Sequence, residues 1–251
     1  FNLTPSLLEQ IESYLAGTED FYQKVDKPAE KLDDNEKRYL LHHYFDIHWE
    51  KVIRQHPRYL ELLELQGWTR EPEAVRPALG RYREQDYRDL QVWFNLAWID
   101  TEIRRSDSRL SGLVDKGRNF TEAERRSVME RQRDLLAGIV PLHRRLQERG
   151  QIEIMTTPFY HPIMPLLIDS YSALRACPGL PLPRRFQYPQ DACEQLSMAE
   201  QQYRRLFGRR PRGIWPSEMA VSSETIALFM TYGFDRSISD EQILARSLNA
   251  E

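Results

Sequence analysis

The stretch Gly213 to Ser222 reads GIWPSEMAVS and places a carboxylate, Glu218, two residues beyond Pro216 and just ahead of a new helix. A strand, a tight turn and a helix form half of a βαβ unit, and in parallel α/β proteins ligands gather at the carboxyl ends of strands. Glu218 falls on that edge, poorly placed for a core and well placed to be aimed at a ligand. The competing reading is a cap on the helix that begins near Ser222, where the helix dipole favours an acid. Residue chemistry alone leaves the two readings at even odds.

A second stretch, TTPFYHPIMPLL, carries His161 between prolines that restrict the backbone, directly after Phe159 and Tyr160. An imidazole and two aromatic rings on a rigid loop suit a polar ligand with an apolar face, such as a sugar. A satisfied core histidine is the alternative, and on physics alone the stronger one. Trp215 is either a stacking platform for a pyranose ring or core filler beside Ile214. Glu153 alternates with Ile152 and Ile154, so it is either partnered inside a barrel or evidence that the strand faces the other way. Three strand ends are expected, at 1–3, 155–161 and 215–218, and a fourth at 239–241 would bring Asp240 to the same edge. Their convergence collects an amide, an imidazole, an indole and two or three carboxylates.

Other residues point away from chemistry. His42, His43 and His48 lie on an aromatic-rich helix without HExxH spacing, so a structural role is expected. Trp93 and Trp98 stand at helical spacing and read as core, with Asn95 offering amide contacts. No G-x-G-x-x-G, P-loop lysine or G-x-S-x-G elbow occurs, so nucleotide binding and serine hydrolysis lack support. Lys and Arg number 35 against 38 Asp and Glu, a formal charge of −3, and this mixed charge argues against nucleic acid as a partner. Cys177 and Cys193 stand apart, without zinc spacing, which mildly favours a reducing compartment. No apolar run reaches the ~20 residues that span a bilayer. The expected location is cytoplasmic, with no membrane partner.

The elements that must position these residues follow from punctuation. Thr4 as N-cap and Pro5 open a helix that Gly17 stops. Helical pattern runs from Asp34 to Gln55, and again from Pro57 to near Gly67, while 68–85 reads as loop. QDYRDLQVWFNLAWID is helical, and Thr121 with Glu124 forms a capping box for a helix reaching about Arg149, with a kink expected at Pro141. The second half reads β-α-α-β-α-β. The expected fold is therefore α/β, a parallel and barrel-like sheet with a large helical insertion at about 18–149.

The two chemical stretches, taken whole, are similar to signatures of glycoside hydrolase family 57, especially its amylopullulanase-like and α-amylase-like members. GQIEIMTTPFYHPIMPLL resembles the second signature and GIWPSEMAVSSE the third. FNLTPSLLEQIESY, QVWFNLAW and GRNFTEAER match the same style. The resemblance implies a (β/α)7-type barrel, here incomplete, with residues 1–251 forming part of one catalytic barrel domain. It implies retaining hydrolysis, or transglycosylation, of α-glucans such as starch, glycogen or pullulan, with no cofactor and no metal. By motif, Glu218 stands where the nucleophile stands, His161 where a substrate-binding histidine stands, and Trp215 near the bound sugar. Glu153 matches the strand acid of the second signature. Tyr160 and Asp240 complete the expected substrate-binding set, the SDEQIL setting of Asp240 resembling another strand end of the family.

Two departures accompany the likeness. The first signature, a histidine-x-proline, is absent, and the fourth, with its acid/base aspartate, is expected beyond Glu251. Two rival readings are a non-catalytic carbohydrate-binding remnant and a metal-dependent deacetylase or α-mannosidase-like hydrolase. The latter wants an Asp/His set at strand ends, where only His161 is found.

Overall fold

The computed structural model of the chain describes residues 1–248, Ser247 by its backbone alone. The chain forms two compact units, Phe1–Ala16 with Ala137–Glu251, and Gly17–Leu136.

The first unit is built on a sheet of four short strands, β1 (Asn2–Leu3), β2 (Met155–Thr156), β3 (Gly213–Ile214) and β4 (Arg236–Ser237), in spatial order β1-β2-β3-β4. Every pairing is parallel, with Asn2 opposite Met155, Thr156 opposite Ile214, and Gly213 opposite Arg236. Parallel neighbours need crossover connections, and here helices supply them. Pro189–Phe207 connects β2 to β3 and ends at Gly208, whose φ of 71° is the left-handed cap that favours glycine. Ser223–Thr231 connects β3 to β4. Ile214 packs with Met164, Leu196, Phe229 and Phe234. Ile154 packs with Leu8, Tyr203 and Phe207. At Gly213 a Cβ would stand 2.7 Å from Met155 Cγ, so glycine is needed there for β3 to approach β2.

The second unit is helical. Its core joins Leu40, Leu41, Tyr44, Tyr59, Leu62 and Trp93 among others; burying each such side chain stabilises by about 1.5–3 kcal/mol. Reciprocal capping boxes start two of its helices, at Asp33 with Glu36 and at Thr121 with Glu124. A buried polar cluster ties further segments together. Asp89 accepts from Arg58 Nε at 2.8 Å, from Gln85 Nε2 at 2.8 Å and from the Phe120 amide at 3.0 Å.

Several expectations change. The helix from Asp34 ends at His43, and only a 3-10 turn at Ile53–Gln55 follows before Pro57–Gln66. Tyr44 and Phe45 leave the helix to enter the core, a gain that outweighs continuing the helical pattern. The stretch 68–85 is not structureless, since Pro72–Val75 and Arg76–Gly80 are short helical turns. Thr4 occupies the cap position of Pro5–Leu15 without a side-chain capping bond. The helix Glu122–Glu148 runs through Pro141. Trp93 is core, its indole N–H donating to the Gly117 carbonyl, but Trp98 at the helix end is 60% exposed. Asn95 spends its amide on the Gln91 carbonyl and accepts from Gln132. His42 and His43 bond to each other, and no group of three His, Cys, Asp or Glu among the described residues is arranged to hold a metal.

Candidate functional site

The site assembles where β2, β3 and β4 end. The Trp215 amide donates to the Thr156 carbonyl at 2.8 Å, so the chains leaving β2 and β3 start side by side. After β2, the loop is pinned from both ends of the sequence: Ser6 N–H donates to the Phe159 carbonyl at 3.2 Å, and Gln195 accepts from the Phe159 amide with its carbonyl and from the Tyr160 amide with Oε1. Phe159 is buried, and Tyr160 meets it edge-on at 4.7 Å while keeping 62% of its own surface exposed. His161 closes a turn by donating its amide to the Pro158 carbonyl. Its φ is 59°, a left-handed conformation that is uncommon for non-glycine residues. The imidazole is half-buried and has no hydrogen-bond partner among the described residues, so it is not a satisfied core histidine.

After β3, Trp215 is half-buried, Pro216 and Ser217 are buried, and Glu218 is exposed. Glu218 and Met219 follow each other with φ of 53° and 55°, inside the short turn Ser217–Met219. Such conformations cost about 1–3 kcal/mol each and cluster at functional sites. The capping reading of Glu218 is excluded, because the N-cap of Ser223–Thr231 is Ser222, whose hydroxyl accepts from the Thr225 amide. The Glu218 carboxylate has no partner among the described residues. Beside it, the Ser217 hydroxyl is buried and unpaired, a condition that native proteins seldom leave without a reason. Sequence reasoning passed over Ser217; its place between Pro216 and Glu218 is the only signal it gives.

After β4, Ser239 Oγ donates to the Met219 carbonyl at 3.5 Å, which brings that loop beside the turn carrying Glu218. Asp240 is the N-cap of Glu241–Ser247 and accepts from the Gln242 amide at 2.8 Å. His161, Tyr160, Trp215, Glu218 and Asp240 therefore all stand on the loops leaving the C-terminal ends of adjacent strands. Glu153 does not. It precedes β2, at the other end of the sheet, where its carboxylate pairs with Arg236 at 2.5 Å and its carbonyl accepts from the Phe1 amine. The alternation with Ile154 left open a partnered interior position or a reversed face; a ladder only two residues long instead puts Glu153 before the strand.

Further along the β2 and β3 loops, Ile168, Asp169, Ser172, Arg175, Ser222 and Glu224 are among the residues lining a cleft of about 400 Å³. Its charges are paired in bidentate fashion, Arg175 with Glu224 and Arg185 with Asp169. The Arg175 guanidinium lowers the Glu224 carboxyl to about 2, and that of Arg185 lowers Asp169 to about 2.

A parallel sheet with helical crossovers defines an α/β protein, and one edge of its sheet offers a carboxylate, an imidazole and aromatic rings from neighbouring loops. The chain belongs to glycosyl hydrolase family 57, whose model matches residues 6–250. Among solved structures, that of the novel alpha-amylase AmyC from Thermotoga maritima is similar at 14% identity and a TM-score of 0.37, covering 84% of this chain and 36% of that one. This chain thus spans little more than a third of that protein's length. No curated protein matches. Among the described residues no helix is long and apolar enough to cross a membrane.

Proposed function

We propose that this chain is part of the catalytic domain of a retaining glycoside hydrolase or transglycosylase acting on α-glucans, with Glu218 as the nucleophile. Both compact units belong to that domain, the sheet being a section of a (β/α)7 barrel and residues 17–136 its helical elaboration. The observation that carries the reading is the state of Glu218: exposed, without a partner among the described residues, and held by left-handed backbone at the C-terminal edge of a parallel sheet. A nucleophilic carboxylate must be ionised and unobstructed to attack the anomeric carbon. His161 and Tyr160 supply hydrogen bonding and stacking to the sugar, and Trp215 walls the same loop pair. Asp240 stands beside them as a substrate contact; the proposal leaves Glu153 out of the site.

Retention needs a second carboxyl group about 5–5.5 Å from the first, to protonate the leaving oxygen and then deprotonate water. On this edge Asp240 is already engaged as a helix cap. The reading therefore holds that the 251-residue chain alone shows no measurable hydrolysis, since missing acid/base assistance forfeits about 10²–10⁴-fold in rate.

The test is covalent. In an enzyme containing this chain, a fluorinated glucosyl fluoride traps the glycosyl-enzyme ester, and peptide mass mapping is expected to find it on Glu218. Glu218→Gln is expected to lose trapping and turnover while still binding maltooligosaccharide. A label on another carboxylate, or turnover within a few-fold of the parent, removes Glu218 from the role. Binding without trapping in the parent would favour the carbohydrate-binding remnant.

A further inference from the structure

The helical unit carries a feature that the sheet edge does not use. Asp46, Ile47, His48, Trp49, Glu50 and Arg70 line an open hollow of about 570 Å³. The Arg70 guanidinium lies over the Trp49 ring at 4.8 Å, Trp49 meets Trp68 edge-on at 5.7 Å, and Arg54 lies over Trp68 at 5.0 Å. Two indoles and two guanidinium planes thus form one continuous array beside the hollow. Trp68 is 37% exposed, and its φ of 57° is left-handed, which for a bulky aromatic is an outlier that costs free energy. The preceding Gly67 already terminates the helix Pro57–Gln66, so helix capping does not require a tryptophan at 68.

The lining selects among ligand classes. Asp46 is oriented by His43 at 3.0 Å and Glu50 by Arg54 at 2.7 Å. These two acids repel an anion. A hard cation wants six or more oxygen ligands, and the described residues contain no metal-binding group. An apolar ligand would desolvate both acids and Arg70 without replacing their hydrogen bonds. A neutral, hydroxyl-rich molecule with an apolar face fits: planar carboxylate and guanidinium groups bond vicinal hydroxyls, and indole packs on C–H faces.

We propose that this hollow, with the Trp49–Trp68 array, is a second carbohydrate-binding site formed by the helical unit alone. The choice of an α-linked glucan as its ligand rests on the function proposed above; the site itself does not. Affinity electrophoresis of the full chain through glycogen gels, with maltoheptaose as competitor, tests it alongside thermal unfolding. Trp68→Gly is the informative variant, because glycine adopts φ near 57° without strain. It is expected to weaken retardation about tenfold while leaving the melting temperature unchanged or raised. Arg70→Ala is expected to weaken it several-fold. Glu218→Gln, which abolishes turnover if the sheet-edge reading is right, is expected to leave this retardation in place. Parent-like retardation of Trp68→Gly, a fall in its melting temperature that parallels the lost binding, or a parent that binds inorganic phosphate and not maltoheptaose would each overturn the proposal.

Discussion

The amide of Trp215 donates to the carbonyl of Thr156 at 2.8 Å, at the point where β3 and β2 both leave the sheet. Five residues beyond Thr156 stands His161, and three beyond Trp215 stands Glu218, each in left-handed backbone. One backbone bond therefore sets the common origin of the two loops on which the proposed chemistry depends.

Glu218 contributes little to holding the turn together, since its carboxylate has no partner among the described residues. Asparagine tolerates left-handed backbone better than glutamate does. Glu218→Asn is therefore expected to keep stability within about 0.5 kcal/mol of the parent, or to raise it by up to about 1 kcal/mol, and to abolish turnover in an enzyme containing this chain. Urea unfolding checks this, and a loss above about 1 kcal/mol would show that the carboxylate supports the fold.

Gly213→Ala should be costly for a residue that is buried and small. The new Cβ would lie 2.7 Å from Met155 Cγ, near the root of that side chain, where rotation gives little relief. A loss of about 1–3 kcal/mol is expected. Shortening the neighbour in Gly213→Ala/Met155→Ala should recover part of it relative to additive losses. A double-mutant cycle with no coupling would mean that β3 and β2 are not in this register.

Asp89 is fully buried and accepts from Arg58, Gln85 and the Phe120 amide. Asp89→Ala leaves the Arg58 guanidinium to Asp86 and Glu61 and deprives the Phe120 backbone N–H of its acceptor in the helical core. An expected loss of about 1–3 kcal/mol follows from leaving a buried donor without its acceptor. Denaturant titration of the chain measures it; a loss below about 1 kcal/mol would show that water enters the cluster.

The paired loops after β2 and β3 give a pH signature. Asp169 and Glu224 both titrate at about 2 in the folded chain because Arg185 and Arg175 bond their charged forms. Depressed carboxyl values contribute fully above the unfolded values near 4 and fade as pH falls toward 2. Hydrogen exchange in 169–188 is therefore expected to accelerate between about pH 4 and 2, after correction for the intrinsic rate. Both groups are exposed, so salt should weaken the effect. Asp169→Asn should remove part of the acid-dependent step, and its persistence would locate the titration elsewhere.

The legible parts of the sequence were those with local causes. Gly208, the Thr121–Glu124 box and the alternation of strand and helix in the second half are written in neighbouring residues. So was the strand end that carries Glu218. The illegible parts depend on distant partners. Nothing in QIEIMTTPF says that pairing begins only at Met155, which is what puts Glu153 at the wrong end of the sheet. Likewise, nothing before Tyr44 announces that its ring packs against Phe94 at 4.2 Å, within a core that takes precedence over the helical repeat. Asp240 stands on the expected edge but also caps Glu241–Ser247, a helix too short for its pattern to show in the sequence.

The register of β1 against β2 has a consequence for how the chain is made. Asn2 pairs with Met155, and all of residues 17–136 lie between the two. During synthesis the first strand emerges early and must wait for its partner, whereas the helical unit has its own core and can fold before β2 leaves the ribosome. Loop closure over an unstructured chain of that length is slow, and a prefolded middle section shortens the span to be closed. Stalled nascent chains in which 17–136 has cleared the exit tunnel and β2 has not should therefore contain a protected 17–136 and an unpaired, protease-sensitive β1.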